Sequence, residues 1–173
     1  MARDSLPAGH YPIKMYYFVD NPDVFPIRQR LDSDQYFMSK LTPDHADFIA
    51  DYWLRINKDV TIVRKYFKYL LSIVDISVGI FRKSDPSLPI SWAMFSDYGL
   101  GINLSTVPEY RHKGLGLVVT KHLFAQALQQ GIVPVADQRK KSTLTESAVL
   151  KYAIERTWRD SITGECYLWI DYI

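Results

Sequence analysis

Arg111-His112-Lys113-Gly114-Leu115-Gly116 is the stretch of this sequence whose residue types and spacing could do chemistry. It reads R-x-x-G-x-G, follows the apolar run from Ile102 to Pro108, and opens a helical pattern from Leu115 to Gln130. A strand, a glycine-bearing turn and a helix N-terminus together make an anion site. Backbone N–H groups and the positive end of the helix dipole converge on the ligand. Gly114 and Gly116 permit close approach and unusual dihedrals. Arg111, His112 and Lys113 either add positive charge to the site or are solvated loop cations. The ligand that suits such a turn is a phosphate or pyrophosphate. Two other phosphate loops are excluded, because neither G-x-x-x-x-G-K-[ST] nor G-x-G-x-x-G occurs.

The elements that must position this turn can be read from pattern. Thr42 caps a helix with Pro43 at its first position, and Ala46, Ile49, Ala50, Trp53 and Leu54 recur at helical spacing. A second helix is predicted from about Asp59 to Leu71, with Val60, Val63, Phe67, Leu70 and Leu71 on one side. Strands are predicted at Gln35–Ser39, Ile73–Phe81, Ile90–Phe95 and Gly101–Val107, with turn chemistry over Ser84–Pro89 and Asp97–Gly99. Short loops make the last three of these an antiparallel meander. Gly131 stops the motif helix, and Ile132–Ala136 forms a strand parallel to Gly101–Val107. Ser142 or Thr143 starts a helix reaching Glu155, and Cys166–Ile173 is a final strand. The fold class is α+β, with a mixed, mostly antiparallel central sheet flanked by helices. Residues 1–34 are proline-bearing and read as an arm or linker remnant, in which Met15–Val19 could pair as a short strand; residues 35–173 form the domain.

Composition removes several classes. Formal net charge is +2 with both signs interspersed, which speaks against dedicated nucleic-acid binding. No apolar run approaches the ~20 residues that span a bilayer, and the start carries no signal-peptide core. One cysteine, Cys166, cannot make an internal disulfide, so an intracellular setting is expected, cytoplasmic ahead of mitochondrial. His10, His45, His112 and His122 show no ligand pairing, so no metal is expected.

Val107-Pro108-Glu109-Tyr110-Arg111-His112-Lys113-Gly114-Leu115-Gly116 resembles the acyl-CoA signature of the GNAT superfamily of N-acyltransferases, an apolar strand, then P-x-Y-R-x-x-G-x-G/A, then a helix. Ser91-Trp92-Ala93-Met94, Thr106 to Arg111, and Gly131 followed by Pro134-Val135 are similar to the C-terminal domain of glycine N-acyltransferase and its animal relatives. The resemblance implies the GNAT fold and an N-acyltransferase using acetyl-CoA or another acyl-CoA as co-substrate. The acceptor it implies is a primary amine on a small molecule or amino acid. A protein or peptide N-acetyltransferase, and a CoA-binding domain without catalysis, are the alternatives. No nucleic acid or membrane partner is implied, and a homodimer is compatible with it.

The resemblance also assigns residues. The loop from Arg111 through His112, Lys113, Gly114 and Leu115 to Gly116 would wrap the pyrophosphate, and the main chain of Ser105, Thr106 and Val107 would pair with the pantetheine arm. Tyr152, four residues after Ala148, is the candidate acid for the leaving thiolate; its alternative is a packing tyrosine. Where glycine N-acyltransferases carry a glutamate, this chain has Leu100. Asp97, Asp137 or a water chain would then act as base, or activity is lost.

Overall fold

The structure, a computed structural model, describes residues 13–18, 31–53, 59–97, 99–132, 135–139 and 153–154. Its strands are β1 (Ile13–Phe18), β2 (Tyr36–Ser39), β3 (Ser77–Arg82), β4 (Asp85–Phe95), β5 (Leu100–Thr106), β6 (Val135–Arg139) and β7 (Ala153–Ile154). Its helices are α1 (Ala46–Asp51), α2 (Val60–Ile73) and α3 (Leu115–Gln129). The strands form one sheet in the order β2-β3-β4-β5-β6-β1-β7. Pairing is antiparallel from β2 through β5 and between β1 and its neighbours β6 and β7, and parallel between β5 and β6. The predicted meander and its parallel neighbour are both present, and the expected short strand in the first thirty residues is β1.

Side-chain alternation along β3 and β4 builds two cores. Val78, Ile80, Ala93 and Phe95 face α3, where Leu115, Val118, Val119, Leu123, Phe124 and Ala127 are buried against them. Phe81, Trp92 and Met94 face α1 and α2, meeting Ile49, Ala50, Val63, Phe67, Leu70 and Leu71. The cap of α2 is Asp59, whose carboxylate accepts from Thr61 N–H at 2.8 Å. That hydrogen bond is the main reason the carboxyl sits below its usual pKa.

Several boundaries differ from the sequence pattern for identifiable reasons. Ile73, read as the start of a strand, ends α2, because Val74 N–H still reaches Leu70 O at 2.9 Å; β3 begins only at Ser77. The turn read over Ser84–Pro89 shrinks to Lys83-Ser84, and β4 runs from Asp85. Register shifts beside Phe81 let Pro86 and Pro89, which have no N–H to donate, sit within β4. Arg82 and Asp85 close that hairpin with an ion pair at 2.6 Å. Ile132, read as strand, instead finishes α3: its N–H reaches Ala127 O at 2.9 Å over Gly131 at φ 73°. The helix expected to reach Glu155 does not cover Ala153–Ile154, which pair with Phe18 and Tyr17 of β1; a tertiary strand partner outweighs the local capping signal. Residues 140–152, including Tyr152, and residues 155–173, including Cys166, lie outside the described residues.

The first helix also starts as expected and then departs. Thr42 and Pro43 open a single 3-10 turn, Pro43–His45, before α1 begins at Ala46. Thr42 N–H donates to His45 Nδ1 at 2.9 Å, so the ring must be unprotonated at that nitrogen. Burial beside Phe81, 5.2 Å between ring centroids, pushes the His45 pKa down against the raising influence of Asp44. The unfolded chain therefore takes up this proton more readily than the folded one. The stabilisation is complete above the unfolded value of about 6.5 and is lost as pH falls through the lower folded value. We expect the melting temperature to fall with acidification from neutral pH, and His45→Gln, which can still accept from Thr42, to remove that part of the slope. Identical slopes in the two proteins would refute the assignment.

Candidate functional site

The glycine turn lies where the sheet comes apart. β5 pairs with β6 only at Leu100↔Val135 and Gly101↔Ala136. On its other side β5 stays paired with β4 as far as Ser91↔Thr106. From Ile102 to Thr106, one edge of β5 is therefore without a strand partner among the described residues. Val107 N–H donates to Ile90 O at 2.9 Å, toward β4. Backbone groups alternate along a strand, so the N–H and C=O of Thr106 face the open edge. Ser91 and Thr106 form a non-hydrogen-bonded pair, with their hydroxyls 2.9 Å apart under the sheet.

The chain then winds tightly into α3. Pro108–Tyr110 is a single 3-10 turn, with Arg111 N–H on Pro108 O at 3.1 Å. Arg111 is extended, His112 is left-handed at φ 59°, and Gly114 is left-handed at φ 75°. Left-handed backbone is strained for a side chain other than asparagine or aspartate, which makes glycine the natural choice at 114. Gly114 O accepts from Leu117 N–H at 3.1 Å and Val118 N–H at 3.2 Å, starting the helix. The N–H groups of Leu115 and Gly116, at its first two positions, have no carbonyl within the helix to reach. A Cβ placed on Gly116 would meet only Thr106 Oγ1 at 3.5 Å and Leu104 Cδ1 at 3.8 Å, which is ordinary contact. The helix N-terminus thus stands close against the end of β5, with Gly116 beside Thr106 and Leu104.

The cations of the loop are used differently from the simplest expectation. Arg111 Nε donates to Thr106 O at 3.0 Å, so this side chain ties the turn to the end of β5. Lys113 Nζ lies 5.0 Å from the centre of the Tyr110 ring. His112 is exposed. Of the loop's three cations, Arg111 is thus engaged with the end of β5 and Lys113 lies beside Tyr110.

Thr106, Val107 and Arg111 to Gly116 come together, with Ser105 one residue back along the same strand. Asp97 does not join them. It is exposed on the turn closed by Gly99 N–H to Ser96 O at 3.1 Å, at the opposite end of β5. Six rises of about 3.3 Å put roughly 20 Å between the two ends of the strand. Asp137 lies on β6, the strand that parts from β5. Asn103 was overlooked by sequence reading. It is buried, left-handed at φ 52°, and its Nδ2 has no hydrogen-bond partner among the described residues. The available signal was asparagine inside an otherwise apolar strand, where that residue is disfavoured. Among the described residues no three His, Cys, Asp or Glu side chains are grouped to hold a metal ion, and no helix is long and apolar enough to cross a membrane.

Comparison with known proteins agrees with this geometry. Residues 77–148, spanning β3 through β6, match the family model of FR47-like proteins. A Drosophila protein of solved structure superposes with a TM-score of 0.68 at 17% identity, over 84% of this chain and 48% of its own. An acetyltransferase from the GNAT family of Colwellia psychrerythraea gives a TM-score of 0.58 at 12% identity, over 81% of this chain and 50% of its own. A predicted acetyltransferase with acetyl-CoA from Clostridium acetobutylicum gives 0.51 at 16% identity, over 70% of this chain and 91% of its own. The chain thus spans about half the length of the first two. No curated protein matches the sequence.

Proposed function

Because the fold is that of the GNAT acetyltransferases, we propose that this chain is an acyl-CoA-dependent N-acyltransferase that acylates a primary amine on a small molecule or amino acid. One observation carries the reading: a helix N-terminus with a left-handed glycine entry sits at the mouth of a strand edge that is unpaired among the described residues. The N–H groups of Leu115 and Gly116 hold the pyrophosphate. The outward N–H of Thr106 donates to a carbonyl of the pantetheine arm, which lies along β5 as an added strand, while the Thr106 carbonyl stays with Arg111.

In the reaction, the amine nitrogen attacks the thioester carbonyl, the C–N bond forms, the C–S bond breaks, and the proton lost by nitrogen is balanced by the one gained by sulfur. Tyr152 supplies the proton to the thiolate, and Asp97 or a water chain reaching it takes one from the amine. The small acceptor rests on the likeness of Ser91 to Met94 and Thr106 to Arg111 to glycine N-acyltransferases. Titration calorimetry with CoA and with acetyl-CoA tests the donor assignment. Saturable binding of both is expected; no heat at millimolar ligand would overturn it.

A further inference from the structure

One face of α2 is not accounted for by the core. Val63, Phe67, Leu70 and Leu71 turn inward, as the helical period demands. Yet of the seven large apolar side chains exposed among the described residues, four lie on this one helix: Val60, Ile62, Tyr69 and Ile73. Ile62, Tyr69 and Ile73 are 59%, 56% and 47% exposed. They fall within roughly 40° of one another around the helix axis. Tyr66, partly buried against the core, fills the gap between them. The line Ile62-Tyr66-Tyr69-Ile73 thus advances by four, three and four residues. Its length is roughly 16 Å, at about 1.5 Å per residue.

Single exposed apolar residues are ordinary, but an aligned set is not. Helix propensity does not ask for it either, since isoleucine is a poorer helix former than lysine, glutamate or glutamine. The four-three-four spacing is the seam by which one helix packs along another. Charge then selects the partner. Val60–Ile73 contains no Asp or Glu. Arg64 is committed to Asp51 at 2.8 Å. Lys65 and Lys68 flank the seam on the side away from the core, exposed and in no ion pair with a described residue. A second copy packed antiparallel across a twofold axis would set these lysines beside their own equivalents, which repel. A bilayer surface calls for a broad apolar face, and a line one side chain wide is not one. The face that fits is a helix with its own apolar line and acids on one flank.

We propose that the outer face of α2 docks an acidic amphipathic helix of a partner protein. Ile62, Tyr69 and Ile73 meet its apolar line, and Lys65 and Lys68 meet carboxylates on its flank. Tyr69, aromatic and inside the line, is the anchor. The sheet separates α2 from α3, which packs on the other face, so a partner here leaves the glycine turn open. The inference does not depend on the acyl-transfer reading.

The probe is a fluorescent synthetic peptide of about three heptads, with leucine at a and d and glutamate at e and g, whose like charges keep it from pairing with itself. A twin carries lysine in place of glutamate. Anisotropy titration with the full chain should show saturable binding of the acidic peptide, weakened by salt, and none of the twin. Lys65→Glu with Lys68→Glu should weaken the acidic peptide on the order of 10-fold and admit the twin. Ile62→Gln, Tyr69→Gln and Ile73→Gln together should weaken it on the order of 100-fold or more. Their melting temperature should match the parent's; where it does not, the charge reversal alone decides. Equal binding of the two peptides, or binding that survives the charge reversal unchanged, overturns the proposal. So does failure of the acidic peptide to bind. In that case sedimentation with vesicles of phosphatidylserine and phosphatidylcholine assigns the face to a bilayer. A parent dimer that the glutamine variant dissociates assigns it to a second copy.

Discussion

Gly116→Asp should abolish CoA binding while leaving the fold as stable as before or slightly more so. A Cβ at Gly116 makes ordinary contacts, 3.5 Å to Thr106 Oγ1 and 3.8 Å to Leu104 Cδ1. It would occupy the second position of α3, where a carboxylate gains about 0.3–1 kcal/mol from the helix dipole. The same carboxylate occupies the place of the anion. One pair of like unit charges at about 4 Å and an effective dielectric near 20 repels by about 4 kcal/mol. At about 1.4 kcal/mol per factor of ten, affinity should fall on the order of a thousandfold. Calorimetry reads the affinity and a melting curve reads the fold. Unchanged affinity would remove the helix N-terminus from the binding site. Gly114 would be a poorer choice, because φ 75° strains any residue with a side chain, and lost binding there would not separate charge from distortion.

Trp92 governs the other large effect. It is completely buried and joins β4 to α1 through Phe48 and Tyr52. Trp92→Ala should cost about 3–5 kcal/mol through lost burial and the cavity left behind. At about 2–4 °C per kcal/mol for a chain of this length, the melting point should fall by roughly 10 °C. Trp92→Phe should behave quite differently. It also loses volume, but it removes the indole N–H that has no partner among the described residues, relieving about 1–3 kcal/mol. The two terms oppose, so a net change within about 1 kcal/mol is expected. If Trp92→Phe were as damaging as Trp92→Ala, the orphaned N–H would carry no penalty, and the measured cost would be packing alone.

The parts of the site legible in the sequence were those written in local chemistry. Pro108, Gly114 and the apolar periodicity of α3 announce a turn and a helix start, and Gly131 announces its end. Thr42, Pro43 and Asp59 announce two more starts. What could not be read locally was set by pairing. Ile73 has strand character yet ends a helix, and Asp85 to Pro89 look like a turn yet extend a strand. Asn103 is the sharpest instance, since neither its bulge nor its buried amide exists until β4 and β5 are in register. The parting of β5 from β6 is likewise a property of two strands separated by a whole helix, and nothing in either strand alone encodes it.

That parting bears on solubility as well as on binding. An unpaired strand edge invites edge-to-edge association with other molecules, and proteins blunt such edges by shortness, charge or cover. Among the described residues the outermost strands are short, four residues in β2 and two in β7. The long unpaired edge among the described residues is instead an interior one, between two strands that diverge from a common root. A slender chain can enter there and hydrogen-bond, whereas a strand backed by its own sheet cannot. Among the described residues, the unpaired edge is thus kept from other sheets while staying open to a slender chain.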